Sequence, residues 1–190
     1  MNTALLLLDY IVDISHPEGK VARSAAHVSA RGAVAKANQA LAVARSRGWL
    51  TVLVKIGFSP SYREQPKQSP MFGRAQEFRA LELGGVGTAF HPALQVEASD
   101  LVIVKPRVSA FYGTPLEPAL RAGKIERLVI AGVSTTWAVQ STVRDGHDRD
   151  YQVVILEDAC AAADDADHRQ SIDTLQTIAR IIDVAELERL

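Results

Sequence analysis

Short, unbroken runs of apolar, β-prone residues recur along this chain, each separated from the next by a helical pattern. That alternation constrains the fold more than any other feature. Thr3–Leu8, Leu50–Ile56, Leu101–Val104, Leu128–Ala131 and Gln152–Leu156 are apolar at nearly every position, with little alternation between polar and apolar residues. A strand with one wetted face alternates, whereas a strand covered on both faces does not. Ala33–Arg47 carries Val34, Ala37, Leu41 and Ala44 at helical spacing and is stopped by Gly48. Pro115–Arg121 starts with proline at a first helical position and ends at Gly123. Thr136–Asp148 and Ala166–Arg180 read as further helices, the latter with Ile172, Leu175 and Ile178 on one face, and Ile181–Ile182 reads as a short last strand. The pattern predicts an α/β fold: a three-layer αβα arrangement around a doubly wound, mostly parallel six-stranded sheet, Rossmann-like, within a single domain over residues 1–190.

At 190 residues, 47% hydrophobic and 23% charged, the chain has the composition of an ordinary soluble globular protein. A net charge of −1 gives no electrostatic reason to expect nucleic acid or an anionic membrane as partner. The longest apolar run near the start, Ala4–Leu8, is too short to span a bilayer or to serve as a signal segment. The lone cysteine, Cys160, excludes an intrachain disulfide and fits a reducing, cytoplasmic setting. Gly57–Ala93 breaks the α/β rhythm and is rich in Pro, Gly, Gln and Ser. Its length reads as an active-site flap or interface arm, with a short helix near Ala75–Leu81.

Chemistry-bearing groups collect at strand ends. Asp9 ends the first strand, Lys105 ends the third, and the fourth runs through RLVIAGVSTTWA into a turn that ends at Ala138. In an open parallel sheet these carboxyl ends share one edge, where ligands bind and helix-start amides favour developing negative charge. If Asp9 and Lys105 meet there, attraction lowers the Asp pKa and desolvation raises it, and the sequence leaves the balance open. The same positions also fit a plain strand-end salt bridge or two solvated loop charges. Tyr10, Phe58, Phe111, Tyr112 and Trp137 fall beside the same ends, as pocket walls or as core and interface groups. Arg74 could hold a substrate carboxylate, although nothing in its spacing singles it out. His16, His27, His91, His147 and His168 show no metal-ligand spacing, so no metal is expected. Gly84–Gly87 opens no helix with Lys-Ser/Thr and reads as a turn, and the Arg144, Asp145, Asp148 and Arg149 run reads as a solvated helix end.

LLLLDY, VIVKPRVSAFYGT and IAGVSTTWAVQSTVRDGHDRDYQVVILEDACAA, in this order, resemble the isochorismatase-like cysteine hydrolase family from Leu5 to about Ile182. The resemblance implies strand order 3-2-1-4-5-6, a cis Val133–Ser134 peptide, and an SAFYGT loop closing over the cleft. It further implies Asp9 as proton-transfer group, Lys105 as its electrostatic partner, and Val133, Ser134 and the amide near Ala138 as the polarising turn. Tyr10, Phe58, Phe111, Val133, Ser134 and Trp137 are the expected substrate-binding residues. A small-molecule substrate, no cofactor and a homodimer or homotetramer are expected as well. The family's cysteine falls at Ala138, and a methyl group cannot attack a carbonyl. This matches members lacking the thiol, such as the isochorismatases proper, in which the aspartate protonates a vinyl ether carbon and water attacks. Acid-assisted cleavage of an enol ether or similar bond is therefore the expected reaction. The alternatives are a C–N (amide or ureide) hydrolase with Asp-activated water, and a degenerate member that binds without turnover. Cys160, in EDACAA, resembles a packing element of the family and reads as a buried structural thiol.

Overall fold

The computed structural model describes residues 1–190. Six strands, β1 (Thr3–Leu8), β2 (Leu50–Ile56), β3 (Leu101–Lys105), β4 (Arg127–Gly132), β5 (Gln152–Leu156) and β6 (Arg180–Ile182), form one sheet. Their order is β3-β2-β1-β4-β5-β6 and every neighbouring pair is parallel. The helices are α1 (Val12–Ser15), α2 (Ala25–Arg31), α3 (Ala33–Ser46), α4 (Ala75–Phe78), α5 (Leu116–Ala122), α6 (Gln140–His147) and α7 (Asp165–Leu175). Right-handed crossovers carry α3 to one face and α5, α6 and α7 to the other, which gives the three-layer α/β architecture. The central strand β1 is buried at all six positions, as its uninterrupted TALLLL requires.

Several boundaries depart from the sequence expectation, each for a local reason. The helix expected from Thr136 begins with a π-helical turn over Thr135–Val139. There the Thr135 amide donates to the Ala161 carbonyl, and the Trp137 and Val139 amides both donate to the Ser134 carbonyl, widening the turn. Pro115 is the N-cap of α5 and lies just outside it. Helix α7 stops at Leu175, where the Ile178 and Ala179 amides fold back onto the Leu175 carbonyl and lead the chain into β6. The short helices α1 and α2 have no counterpart in the sequence reading. Only two residues of each are buried, so neither leaves a helical stripe.

The long segment after β2 is a packed unit with its own small core. Ile11, Ile56, Phe58, Tyr62, Phe72, Ala75, Ala80 and Leu81 form a hydrophobic cluster separate from the main one. Its helix is shorter than expected, Ala75–Phe78, because Arg79 adopts the left-handed conformation and ends it. Asp13, 2% exposed, pins the segment. Its carboxylate accepts from the Leu81 amide at 2.6 Å and from the Lys20 amide at 3.1 Å. A Cβ on Gly87 would stand 2.2 Å from the same carboxylate, so only glycine allows the segment to close over it.

Candidate active site

Asp9, Ile56 and Lys105 lie at the ends of β1, β2 and β3, three adjacent strands. Neighbouring strands are about 4.8 Å apart, so Asp9 and Lys105 must span roughly 10 Å over the end of β2. Lys105 has the reach, and its Nζ lies 2.7 Å from Asp9 Oδ2. Asp9 leaves the strand at φ 56°, a left-handed conformation uncommon outside glycine but tolerated best by Asn and Asp. Its other oxygen accepts the Ile56 amide at 2.8 Å, while its own amide donates to the Val54 carbonyl. Burial raises the Asp9 pKa, and the attraction and hydrogen bond of Lys105 oppose the rise without cancelling it. The balance left open by the sequence is thus decided in favour of desolvation.

Lys105 is 1% exposed, and its ammonium has three protons and three acceptors. Besides Asp9 it reaches the Val108 carbonyl at 2.7 Å and the Arg107 carbonyl at 3.3 Å. It therefore acts as a fixed charge that also folds the loop after β3 back toward the carboxylate. The SAFYGT part of that loop is tied to α6: Ser109 Oγ donates to Asp145, and the Ala110 amide donates to Thr142 Oγ1 at 3.1 Å. Asp145 thus has a role beyond the solvated helix end read from the charge run.

The Gly132–Ala138 turn sits directly beside Asp9. The Val133 amide donates to the Leu8 carbonyl at 2.9 Å, and Ala161 pairs with Val133 on the other side. A Cβ at Gly132 would meet Leu8 Cβ at 2.5 Å, so glycine lets β4 press against the chain immediately before Asp9. The Val133–Ser134 peptide is cis. Ala138 is buried within the π-helical turn, a geometry common at functional sites. Because the Val133 amide is engaged by Leu8, Val133 cannot polarise a ligand through its N–H, contrary to the expected role.

Three of the expected pocket aromatics are packing groups. Tyr10 is 1% exposed in the main core, with its hydroxyl donated to the Ala159 carbonyl. Phe58 is fully buried in the cluster of the long segment, edge-on to Phe72. Phe111 stacks on Tyr151 under the Arg149 guanidinium, toward the far end of α6. Large rings past strand ends satisfy the core's need for volume first, which a linear pattern cannot distinguish from a pocket wall. Trp137 is 56% exposed beside Ala138, and Ser134 is partly exposed. Arg74 pairs with Glu77 on the surface. A hollow of about 620 Å³ lies at the opposite, amino-terminal edge of the sheet, lined by Met1, Asn2, Arg47, Trp49 and Ile125 among others. It has no carboxylate, imidazole or thiol in its wall, so the reactive groups belong to the carboxyl edge.

Cys160 is fully buried, and burial pushes its thiol up to about 12. At pH 8 that leaves about one thiolate per ten thousand chains. The folded protein is expected to resist a small thiol reagent at pH 8 and to yield one reactive thiol per chain in denaturant. Rapid labelling of the native state would return Cys160 to consideration as a nucleophile. No set of three or more His, Cys, Asp or Glu residues is grouped to hold a metal ion.

The signal that sequence reasoning missed is behind the turn. Thr135 and His168, both fully buried, are joined at 2.8 Å, and His168 Nε2 lies 2.6 Å from Glu157 Oε1. Glu157 is pulled down to about 2, first by that hydrogen bond and further by Arg31, against the opposing effect of its burial. A histidine on the apolar stripe of α7, three residues after an acidic helix start, was the available hint.

Fold and strand ends together define a three-layer α/β protein with a buried Asp–Lys pair at the carboxyl edge of its sheet. The isochorismatase domain matches residues 3–186, and the chain belongs to the isochorismatase family. It is 32% identical to a ureidoacrylate amidohydrolase RutB of Methylobacterium radiotolerans, over 98% of this chain and 78% of that protein. It is 33% identical to the isochorismatase family protein YecD of Escherichia coli O157:H7, over 98% and 94%. Among solved structures, N-carbamoylsarcosine amidase from Thermoplasma acidophilum superposes with a TM-score of 0.80 at 26% identity, covering 99% of both chains. An isochorismatase family protein from Desulfovibrio vulgaris gives a TM-score of 0.88 at 23% identity, covering 99% of this chain and 97% of that one. The chain is a hydrolase of this family.

Proposed function

We propose that the protein hydrolyses a small molecule without a covalent intermediate, with Asp9 moving the proton and water making the attack. The observation that carries this reading is the buried 2.7 Å Asp9–Lys105 pair beside a turn that bears Ala138 in place of a nucleophile. On an enol ether, Asp9 delivers its proton to the terminal methylene carbon. Water adds to the oxocarbenium carbon so formed and returns a proton to the carboxylate. The hemiketal C–O bond then breaks, releasing an alcohol and a keto acid. The raised Asp9 pKa suits a group that must hold a proton before it gives one. Lys105, its protons engaged, contributes a fixed positive charge against the developing carboxylate. Ser134 and the amide of Ala138 are the polarising groups of the turn, and Trp137 is the aromatic wall.

A second reading, hydrolysis of a ureide or amide C–N bond by Asp9-activated water, is favoured by the names of the relatives, two of which act on such bonds. Pyruvate release from isochorismate and ammonia release from a ureidoacrylate, each measured with the parent protein, separate the two. Ala138→Cys is the complementary test. It is expected to raise ammonia release at least tenfold and to accumulate a covalent acyl adduct on the new thiol under single turnover. No gain would mean that the turn lacks the geometry of a thiol amidase. No helix is long and apolar enough to cross a membrane. We place the enzyme in the cytoplasm, away from nucleic acid, as a homodimer or homotetramer that covers exposed side chains such as Val86 and Tyr112.

A further inference from the structure

The chain Arg31–Glu157–His168–Thr135 draws one residue from each of four elements: α2, the turn after β5, α7 and the turn after β4. Arg31 Nη2 donates to Glu157 Oε1 at 2.7 Å, and its Nε donates to the Cys160 carbonyl at 2.9 Å. Glu157, ionised, can only accept, so the proton shared with His168 belongs to Nε2 of the ring. With the ring neutral, Nδ1 then offers a lone pair to which the Thr135 hydroxyl, 2.8 Å away, can donate. The linked order of hydroxyl, imidazole and carboxylate is that of a hydrolytic triad. Yet Thr135 has no exposed surface, and its hydroxyl faces His168 on α7. The residue is also held through its backbone, with the amide donated to the Ala161 carbonyl at 2.8 Å.

We infer that His168 is a positioning residue: through Thr135 it holds the Gly132–Ala138 turn rigid against Asp9, with Glu157 fixing its tautomer. The inference rests on the reading of this turn as the wall of the site. Thr135 is tied at both ends, by its side chain to His168 of α7 and by its amide to Ala161 in the segment after β5. The turn amides therefore keep one orientation whether or not a ligand is present, and such preorganisation favours the transition state more than the ground state. His27 stands edge-on to His168 at 5.8 Å and accepts the Ala162 amide. Burial and the nearby Arg31 hold His27 toward its neutral form, so no second cation crowds the relay.

Three measurements decide the matter, two of them independent of turnover. In the parent protein, nitrogen NMR of His168 is expected to show a protonated Nε2 with slow proton exchange. A ring protonated at Nδ1 alone, or one exchanging freely, would overturn the inference. Thr135→Val preserves shape and removes the donor. It is expected to speed amide hydrogen exchange at Thr136–Val139 about tenfold while β1 and β4 amides hold, with Thr135→Ser restoring protection. Unchanged exchange in Thr135→Val would also overturn it. On the substrate the parent hydrolyses, Thr135→Val is expected to lower kcat about tenfold with KM within twofold, and Thr135→Ser to restore most of it. A rise in KM with kcat intact, or a covalent adduct on Thr135, would contradict a positioning role. Should the parent hydrolyse neither test substrate, the proposed function fails while the NMR and hydrogen-exchange measurements still judge His168.

Discussion

Asp9→Asn is expected to lower turnover by about 10²–10⁴-fold, the range associated with losing a positioned proton-transfer group. The substitution is close to isosteric, and the amide oxygen can still accept from the Ile56 amide that Asp9 engages at 2.8 Å. What is lost is the exchangeable proton together with the partner charge of the buried Lys105, so the fall in kcat is read on protein shown to be folded. The pH profile separates the two proposed reactions. An acid acting on an enol ether must begin protonated, so kcat should decline as pH rises through the Asp9 pKa, which burial lifts above its ordinary value. A carboxylate activating water must begin ionised, so kcat should rise through the same pKa. Either limb should vanish in Asp9→Asn. Turnover within a few-fold of the parent would remove Asp9 from the mechanism altogether.

Lys105→Met is the substitution expected to damage stability most. Asp9 and Lys105 are 3% and 1% exposed, and removing one member of a buried pair leaves the other charge uncompensated. The expected loss is about 3–5 kcal/mol, read from the urea midpoint with m unchanged. The double change Asp9→Asn with Lys105→Met should recover most of this, because neither charge then remains. Recovery is incomplete because the Val108 and Arg107 carbonyls lose their shared donor. The sign with pH follows from the direction of the Asp9 shift. Its folded pKa lies above the unfolded value, so the penalty is absent when both states are protonated and full once pH passes the folded pKa. Without Lys105 the folded pKa moves higher still, and Lys105→Met should be least unstable in acid. A single variant within 1 kcal/mol of the parent would mean that the pair is solvated.

Asp9 and Lys105 were legible because a residue that breaks an apolar strand at its carboxyl end announces itself in a parallel sheet. The aromatics illustrate the opposite case. Tyr10, Phe58 and Phe111 sit beside strand ends in sequence, yet each turns into packing, and only neighbours from distant segments decide this. Asp13 was invisible for a related reason. Its partners Leu81 and Gly87 lie about seventy residues away in a segment without periodicity, so no local pattern links them. His168 carries little signal in the sequence beyond the lack of metal-ligand spacing, because a single imidazole on a helix says nothing about its tautomer or its neighbours.

Read alone, the amino-acid order determined the parallel α/β architecture, the strand ends that carry charge, and the absence of a thiol at position 138. These follow from covalent spacing: a strand buried on both faces must be apolar throughout, and its first polar residue marks the edge. Tertiary structure alone decided that Asp9 is desolvated more than it is attracted, that Lys105 has no proton free for a ligand, and that Thr135, His168 and Glu157 form one chain. Those outcomes depend on side-chain distances that only the folded chain sets, some between residues far apart in sequence and some within one loop, and on the water excluded around them, and neither quantity is encoded in any local pattern.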